Sequence, residues 1–254
     1  MPTIKVCFNG CSITVGEGFP VEQRDSFIYD RSVSKKFNFE SDNISVSGSS
    51  NYKIFMRSAN AIISGKYDLV VTQWSGLNRV WLHPGPDADF FVNDYKFPDF
   101  TYRDIYLSKS DKSKFRNTLL MLNHDFFNII DLIDYCKILT NLNNTKTKVI
   151  FVNGMIPWTD DIASSLNDNL TTCLSDYTKE ILDFDNRSDD EIIKFFAILQ
   201  DKFNELDQSK WVNLFESFLK DTIDIGPEGH HPGPLSHARF SKKIEDYLQT
   251  NLYQ

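Results

Sequence analysis

Ile4-Lys5-Val6-Cys7-Phe8 runs directly into Asn9-Gly10-Cys11-Ser12-Ile13-Thr14-Val15-Gly16-Glu17-Gly18. The first five residues are a short, β-branched apolar run closed by Asn-Gly, the pattern of a strand buried on both faces. Two further runs, 68–74 and 148–153, have the same character, and 43–47 is a weaker fourth candidate. Helical spacing fills the intervals: 22–39, 50–65, and 112–142 with apolar Phe115, Leu119, Leu122, Phe126, Ile129, Ile130 and Ile133. It returns over 164–182, 189–203, 209–220 and 236–252. Strands alternating with helices of this length predict an α/β domain whose central parallel sheet is covered on both faces.

The chain has 254 residues, 41% of them apolar and 14% aromatic, with 21 Phe, enough for one large core. Its formal charge of −8 argues against a nucleic-acid surface. Its basic pairs, Lys35-Lys36 and Lys242-Lys243, read as solvated helix faces. No apolar run approaches a membrane span, and the start of the chain lacks the apolar core of a secretory signal, so a cytoplasmic protein without membrane association is expected. Cys7, Cys11, Cys136 and Cys173 form no C-x-x-C pair and have no His at zinc-ligand spacing. They read as free, buried thiols.

Residues 82–107 break the strand–helix rhythm with Pro84, Pro86 and Pro98 and a run of Phe and Tyr. An insertion at about 80–110 and a helical elaboration at about 159–222 are therefore assigned to one domain spanning 1–254.

In an open α/β sheet, ligands bind beyond the carboxyl ends of the strands, which places the turn after Phe8 at a functional position. Gly16-x-Gly18 lacks the third glycine of a dinucleotide loop, and no phosphate-loop Lys follows. Ser12 in a strand-to-helix turn is either an N-cap or a nucleophile lying near helix N-terminal N–H groups. Successive side chains at a strand end point to opposite sides, so of Cys11 and Ser12 only one can face a base. Near the other end lies Glu228-Gly229-His230-His231-Pro232-Gly233-Pro234-Leu235-Ser236-His237, which holds three of the five histidines. A carboxylate three residues before a histidine can, in a turn, bond Nδ1–H and leave Nε2 to take a proton.

Together these segments resemble the SGNH (GDSL-type) hydrolases. Gly10-Cys11-Ser12-Ile13-Thr14-Val15-Gly16 is similar to the family's first block, Gly-Asp-Ser-x-Thr-x-Gly, and Ser47-Gly48-Ser49-Ser50 to the second. Gly76-Leu77-Asn78-Arg79 resembles the third, Gly-x-Asn-Asp, and Glu228-Gly229-His230-His231-Pro232 the fifth, Asp-x-x-His-Pro. The four blocks occur in order and span nearly the whole chain.

The resemblance implies a flavodoxin-like three-layer α/β/α sandwich and a serine esterase that needs no metal or organic cofactor. Ser12 would be the nucleophile, His231 the base and Glu228 its orienting acid, with the N–H groups of Ser12 and Gly48 and the Asn78 amide forming the oxyanion site. Trp74 and Arg79 are expected to face the substrate, with Trp81 and Trp158 as further stacking surfaces for a carbohydrate ester. Cys11, Arg79 and Glu228 stand where the family has Asp. The acid therefore remains open between Glu228 and Asp224, and the third oxyanion donor between Asn78, Gln73 and Ser75. A small-molecule or carbohydrate ester is the expected partner. An acyltransferase or thioesterase on the same residues, and a non-catalytic binding protein, are the other function classes.

Overall fold

The computed structural model describes residues 3–76, 125–142, 146–155, 194, 197–198, 201–214 and 216–251. Four strands form one parallel sheet: β1 (Lys5–Asn9), β2 (Glu40–Asn43), β3 (Leu69–Trp74) and β4 (Lys148–Asn153), in the order β2-β1-β3-β4. Every residue of β3 is buried, and so is β4 after Lys148, as the apolar runs predict. β2 is the exception. It begins upstream of the expected 43–47 and is made of Glu40-Ser41-Asp42-Asn43, half of it exposed. An edge strand needs only one paired side, so no apolar run marks it. The expected segment still follows β1 for a short distance, with Ile44 N–H on the Phe8 carbonyl at 2.9 Å.

Helices lie on both faces. On one, α3 (Tyr29–Phe37) packs against the last helix, α6 (Pro234–Asn251), with α2 (Val21–Phe27) beside them; on the other, α4 (Asn51–Ile63) packs on β3 and against α5 (Asp125–Asn141). This is the expected three-layer α/β/α sandwich. Its core runs through Phe8, Val70, Trp74, Ile133, Phe151 and Phe240, all at most 1% exposed.

Two helix expectations are corrected. The stretch 22–39 is two helices, because Ile28 is extended at φ −73° and ψ 144°. The break lays Ile28 over Gly16, where a Cβ would lie 2.1 Å from Ile28 Cγ2. The stretch 209–220 is a short 3₁₀ turn (Gln208–Lys210) followed by irregular chain. Its polar groups close the outer edge of β4 instead: Val212 N–H bonds the Phe151 carbonyl at 2.9 Å, and Asn213 Nδ2 bonds the Asn153 carbonyl at 3.0 Å. Covering a sheet edge satisfies more backbone groups than an isolated amphipathic turn would. The expected helix 164–182, the insertion at 80–110 and most of 189–203 lie outside the described residues, although 201–203 are helical.

Candidate functional site

The strand order reverses direction at β1, where the chain leaves first to β2 and later returns beyond β1 to β3. Such a switch point opens a crevice at the carboxyl ends of the central strands. Ser12 lies at its edge as the first residue of a single helical turn, α1 (Ser12–Val15), with Cys11 as the N-cap. Gly16, left-handed at φ 75°, ends the turn and donates its N–H to the Ser12 carbonyl at 3.0 Å.

Ser12 and Cys11 are both buried, at 3% and 0% exposure. The Cys11 sulfur accepts from Gln73 Nε2 at 3.4 Å. Beneath α1 the hydroxyl of Tyr29 donates to Thr14 Oγ1 at 2.9 Å, and Thr14 in turn donates to Gln73 Oε1. Gln73 is thereby committed at both ends of its amide. Ser75 is also buried, its N–H on Asn51 Oδ1 at 2.8 Å. Both alternatives to Asn78 as an oxyanion donor are thus engaged in packing, while Asn78 and Arg79 lie outside the described residues. Trp74 is corrected outright. It is fully buried, against Phe151 and Tyr135, and offers no face to a substrate. A tryptophan at the end of an interior strand adds more by filling the core than by standing in solvent. Trp81, Trp158 and Cys173 lie outside the described residues; Cys7 and Cys136 are free and buried, and burial pushes the Cys7 thiol up to about 12.

Gly48 follows β2 in a left-handed conformation, φ 70°. An added Cβ would meet nothing within 4 Å, so among the described residues the reason for glycine there is backbone conformation and not the obstruction its block position suggests.

The C-terminal loop reaches the same place. Residues 224–233 fold back on themselves, with Gly226 N–H on the His231 carbonyl at 2.8 Å and Gly233 N–H on the Asp224 carbonyl at 2.9 Å. This hairpin presses on Gly18: a Cβ there would lie 2.7 Å from the Pro232 carbonyl oxygen and 3.2 Å from His231 Cβ. The His231 loop and the Ser12 loop are in van der Waals contact. His231 Nε2 lies 3.4 Å from Glu17 Oε2, and its Nδ1 is buried with no hydrogen-bond partner among the described residues. Glu228 is exposed, and no hydrogen bond joins it to His231. Asp224 is occupied elsewhere, accepting from Leu235 N–H at 3.0 Å and Ser236 N–H at 2.7 Å at the start of α6.

His237 has a different fate from His231. It is buried beside Tyr29, Phe19 and Phe240, and its Nδ1 accepts from the Tyr29 N–H at 3.4 Å. Burial lowers its pKa to about 4, so it stays neutral and serves the core. Glu17, facing His231, and Arg57, whose guanidinium bonds the Gly10 carbonyl at 3.3 Å, are the residues beside these two turns that sequence reasoning passed over. Glu17 had a signal, being in the Gly16-Glu17-Gly18 turn itself, whereas Arg57 is one charged residue on a mixed helix. Among the described residues no cluster of His, Cys, Asp or Glu could hold a metal, and no helix is long and apolar enough to cross a membrane.

No known family profile and no curated protein matches the chain. Solved structures similar to it include a lipolytic protein assigned to the G-D-S-L family from Desulfitobacterium hafniense (10% identical, TM-score 0.43, 97% of this chain and 100% of that one). A psychrotrophic esterase from Pseudoalteromonas is also 10% identical, with a TM-score of 0.43 over 98% of this chain and 99% of that one. A family 3 carbohydrate esterase from Clostridium thermocellum is 14% identical, with a TM-score of 0.44 over 98% and 96%.

Proposed function

We propose that the protein is a serine-dependent ester hydrolase acting through an acyl-enzyme on Ser12. The observation that carries this reading is the contact of the His231 hairpin with Gly18, which unites two segments more than 200 residues apart at the switch point of the sheet. Ser12 Oγ would attack the ester carbonyl and pass its proton to His231. The tetrahedral oxyanion would form against the N–H groups of Ser12 and Gly48 and the Asn78 amide. Collapse would expel the alcohol with the proton returned by His231, and water would repeat the sequence to release the acid. Glu228 is the acid we assign to His231, on its position three residues before the histidine in the same loop. Short-chain and carbohydrate acetyl esters are the proposed substrates, with no cofactor. Release of p-nitrophenol without an added acceptor distinguishes hydrolysis from acyl transfer.

A fluorophosphonate probe should label the wild type and not Ser12→Ala, and either Ser12→Ala or His231→Ala should lower kcat on p-nitrophenyl acetate by about 10⁴ to 10⁶. A folded wild type that is neither labelled nor active removes the proposal. It would favour the binding-protein reading, which draws its support from the absence of a carboxylate hydrogen bond to His231 Nδ1 among the described residues.

A further inference from the structure

Arg57 lies near the middle of α4 with its guanidinium against the carboxyl end of β1. Nε donates to Asn9 Oδ1 at 3.0 Å, while Nη2 donates to Ser49 Oγ at 2.7 Å and to the Gly10 carbonyl at 3.3 Å. The Ser49 hydroxyl passes its own proton to the Val46 carbonyl at 2.7 Å, and Val46 N–H donates to the same Gly10 carbonyl at 3.4 Å. Asn9 completes the clamp from the strand side, its Nδ2 donating to the Ile54 carbonyl at 2.7 Å and to Ser58 Oγ at 2.8 Å. One planar cation therefore ties together the strand end two residues before Ser12, the turn that contains Gly48, and the helix that follows it.

We propose that Arg57 is a positioning residue that fixes the gap between the Ser12 turn and the Gly48 turn, and with it the spacing of the two backbone N–H groups that receive the oxyanion. The inference rests on the ester-hydrolase reading above and assigns Arg57 no contact with substrate. Oxyanion donors act only within about 2.7–3.1 Å of the developing charge, and removing one costs about 10² to 10³ in kcat. Without Arg57 the two segments are joined by the long Val46–Gly10 bond, at 3.4 Å, and farther from both turns by Asn43 Nδ2 on the Thr14 carbonyl at 2.8 Å. Lysine keeps the charge but cannot reproduce the rigid fork that spans three acceptors on two segments. Loosening this gap weakens the transition state and leaves the ground-state ester nearly as well bound.

The test is steady-state hydrolysis of p-nitrophenyl acetate by Arg57→Lys and Arg57→Met, with inhibition by a small boronic acid whose tetrahedral adduct on Ser12 occupies the oxyanion site. Arg57→Lys should lose about tenfold and Arg57→Met about 10² in kcat, with KM within about twofold and the boronate inhibition constant rising in step with the kcat loss. Circular dichroism verifies folding, and Arg57→Lys decides the matter alone if Arg57→Met does not fold. Turnover by folded Arg57→Lys within threefold of wild type overturns the proposal, as does a kcat loss that leaves boronate binding unchanged. Wild-type enzyme run alongside separates the two levels of failure. Absence of Ser12-dependent turnover in the wild type overturns the hydrolase reading itself, whereas such turnover surviving in Arg57→Lys overturns only the role of Arg57.

Discussion

Asp224 and Glu228 carry the same charge four residues apart, and their surroundings give them different work. The Asp224 carboxylate takes two backbone N–H groups and the Ser236 hydroxyl at the first turn of α6, where a helix leaves its N–H groups without partners. Gly233 belongs to the same device, since a Cβ there would lie 2.5 Å from Asp224 Oδ2. Burial pulls the Asp224 pKa up, but the bonds from Ser236 and Leu235 outweigh it and hold the carboxyl below its ordinary range. The stabilisation is therefore complete at neutral pH and is lost as pH falls through the depressed value. Asp224→Asn should cost about 1–2 kcal/mol at pH 7 in urea unfolding, shrinking in strong acid, while kcat stays within a few-fold of wild type. A kcat loss of about 10³ or more with little change in stability would instead make Asp224 the acid on His231.

The element most exposed to small changes is α1, a single turn too short to be stable alone and held by what lies beneath it. The chain of hydroxyls and amide from Tyr29 through Thr14 to Gln73 is wholly buried, so each member lost leaves another unsatisfied. Thr14→Val keeps the shape and removes the link. It should cost about 1–3 kcal/mol, and because Thr14 Oγ1 accepts from the Tyr29 hydroxyl while both hydroxyls reach Gln73 Oε1, the losses from Thr14→Val and Tyr29→Phe should not add. Additive losses in a double-mutant cycle would mean the groups are not coupled. This support also marks what a sequence can and cannot disclose. The apolar runs of β1, β3 and β4 are continuous because both faces of those strands are buried, and periodicity finds them directly. β2 escaped because an edge strand is polar, and 209–220 misled because a segment can carry helical spacing and still be drawn into sheet-edge bonds by Asn213. Ser12 and His231 were legible as turn residues of unusual composition. Trp74 was not, since nothing in a tryptophan's identity says which way the strand presents it. Arg57 escaped because its partners, a side-chain amide oxygen, a hydroxyl and a backbone carbonyl, form no pattern of residue types that a sequence reveals.

At the scale of the whole molecule, two buried titratable groups on α3 and α6 act against each other. Asp30 is fully buried, with one carboxylate oxygen accepting from Asn43 Nδ2 at 2.9 Å and the other without a partner among the described residues. Burial raises its pKa from 3.8 to about 6. The folded state then holds this proton more tightly than the unfolded chain, so its contribution to stability falls as pH rises from about 4 to 6. His237 runs the opposite way. Its pKa drops from 6.5 to about 4, the unfolded chain is the better proton acceptor, and stability rises with pH across that window. Each effect is on the order of 3 kcal/mol, so they largely cancel between pH 4 and 6. The paired carboxylates of Asp42, Asp224, Glu205 and Glu216 are shifted downward and act mainly below that range. Asp30→Asn keeps an acceptor for Asn43 and removes the charge, exposing the His237 slope alone. Urea unfolding of this variant should match wild type near pH 4 and exceed it by about 2–3 kcal/mol at pH 7, where wild type carries an ionised Asp30. Parallel stability curves for the two proteins would show that Asp30 is solvated or paired well enough to ionise without cost.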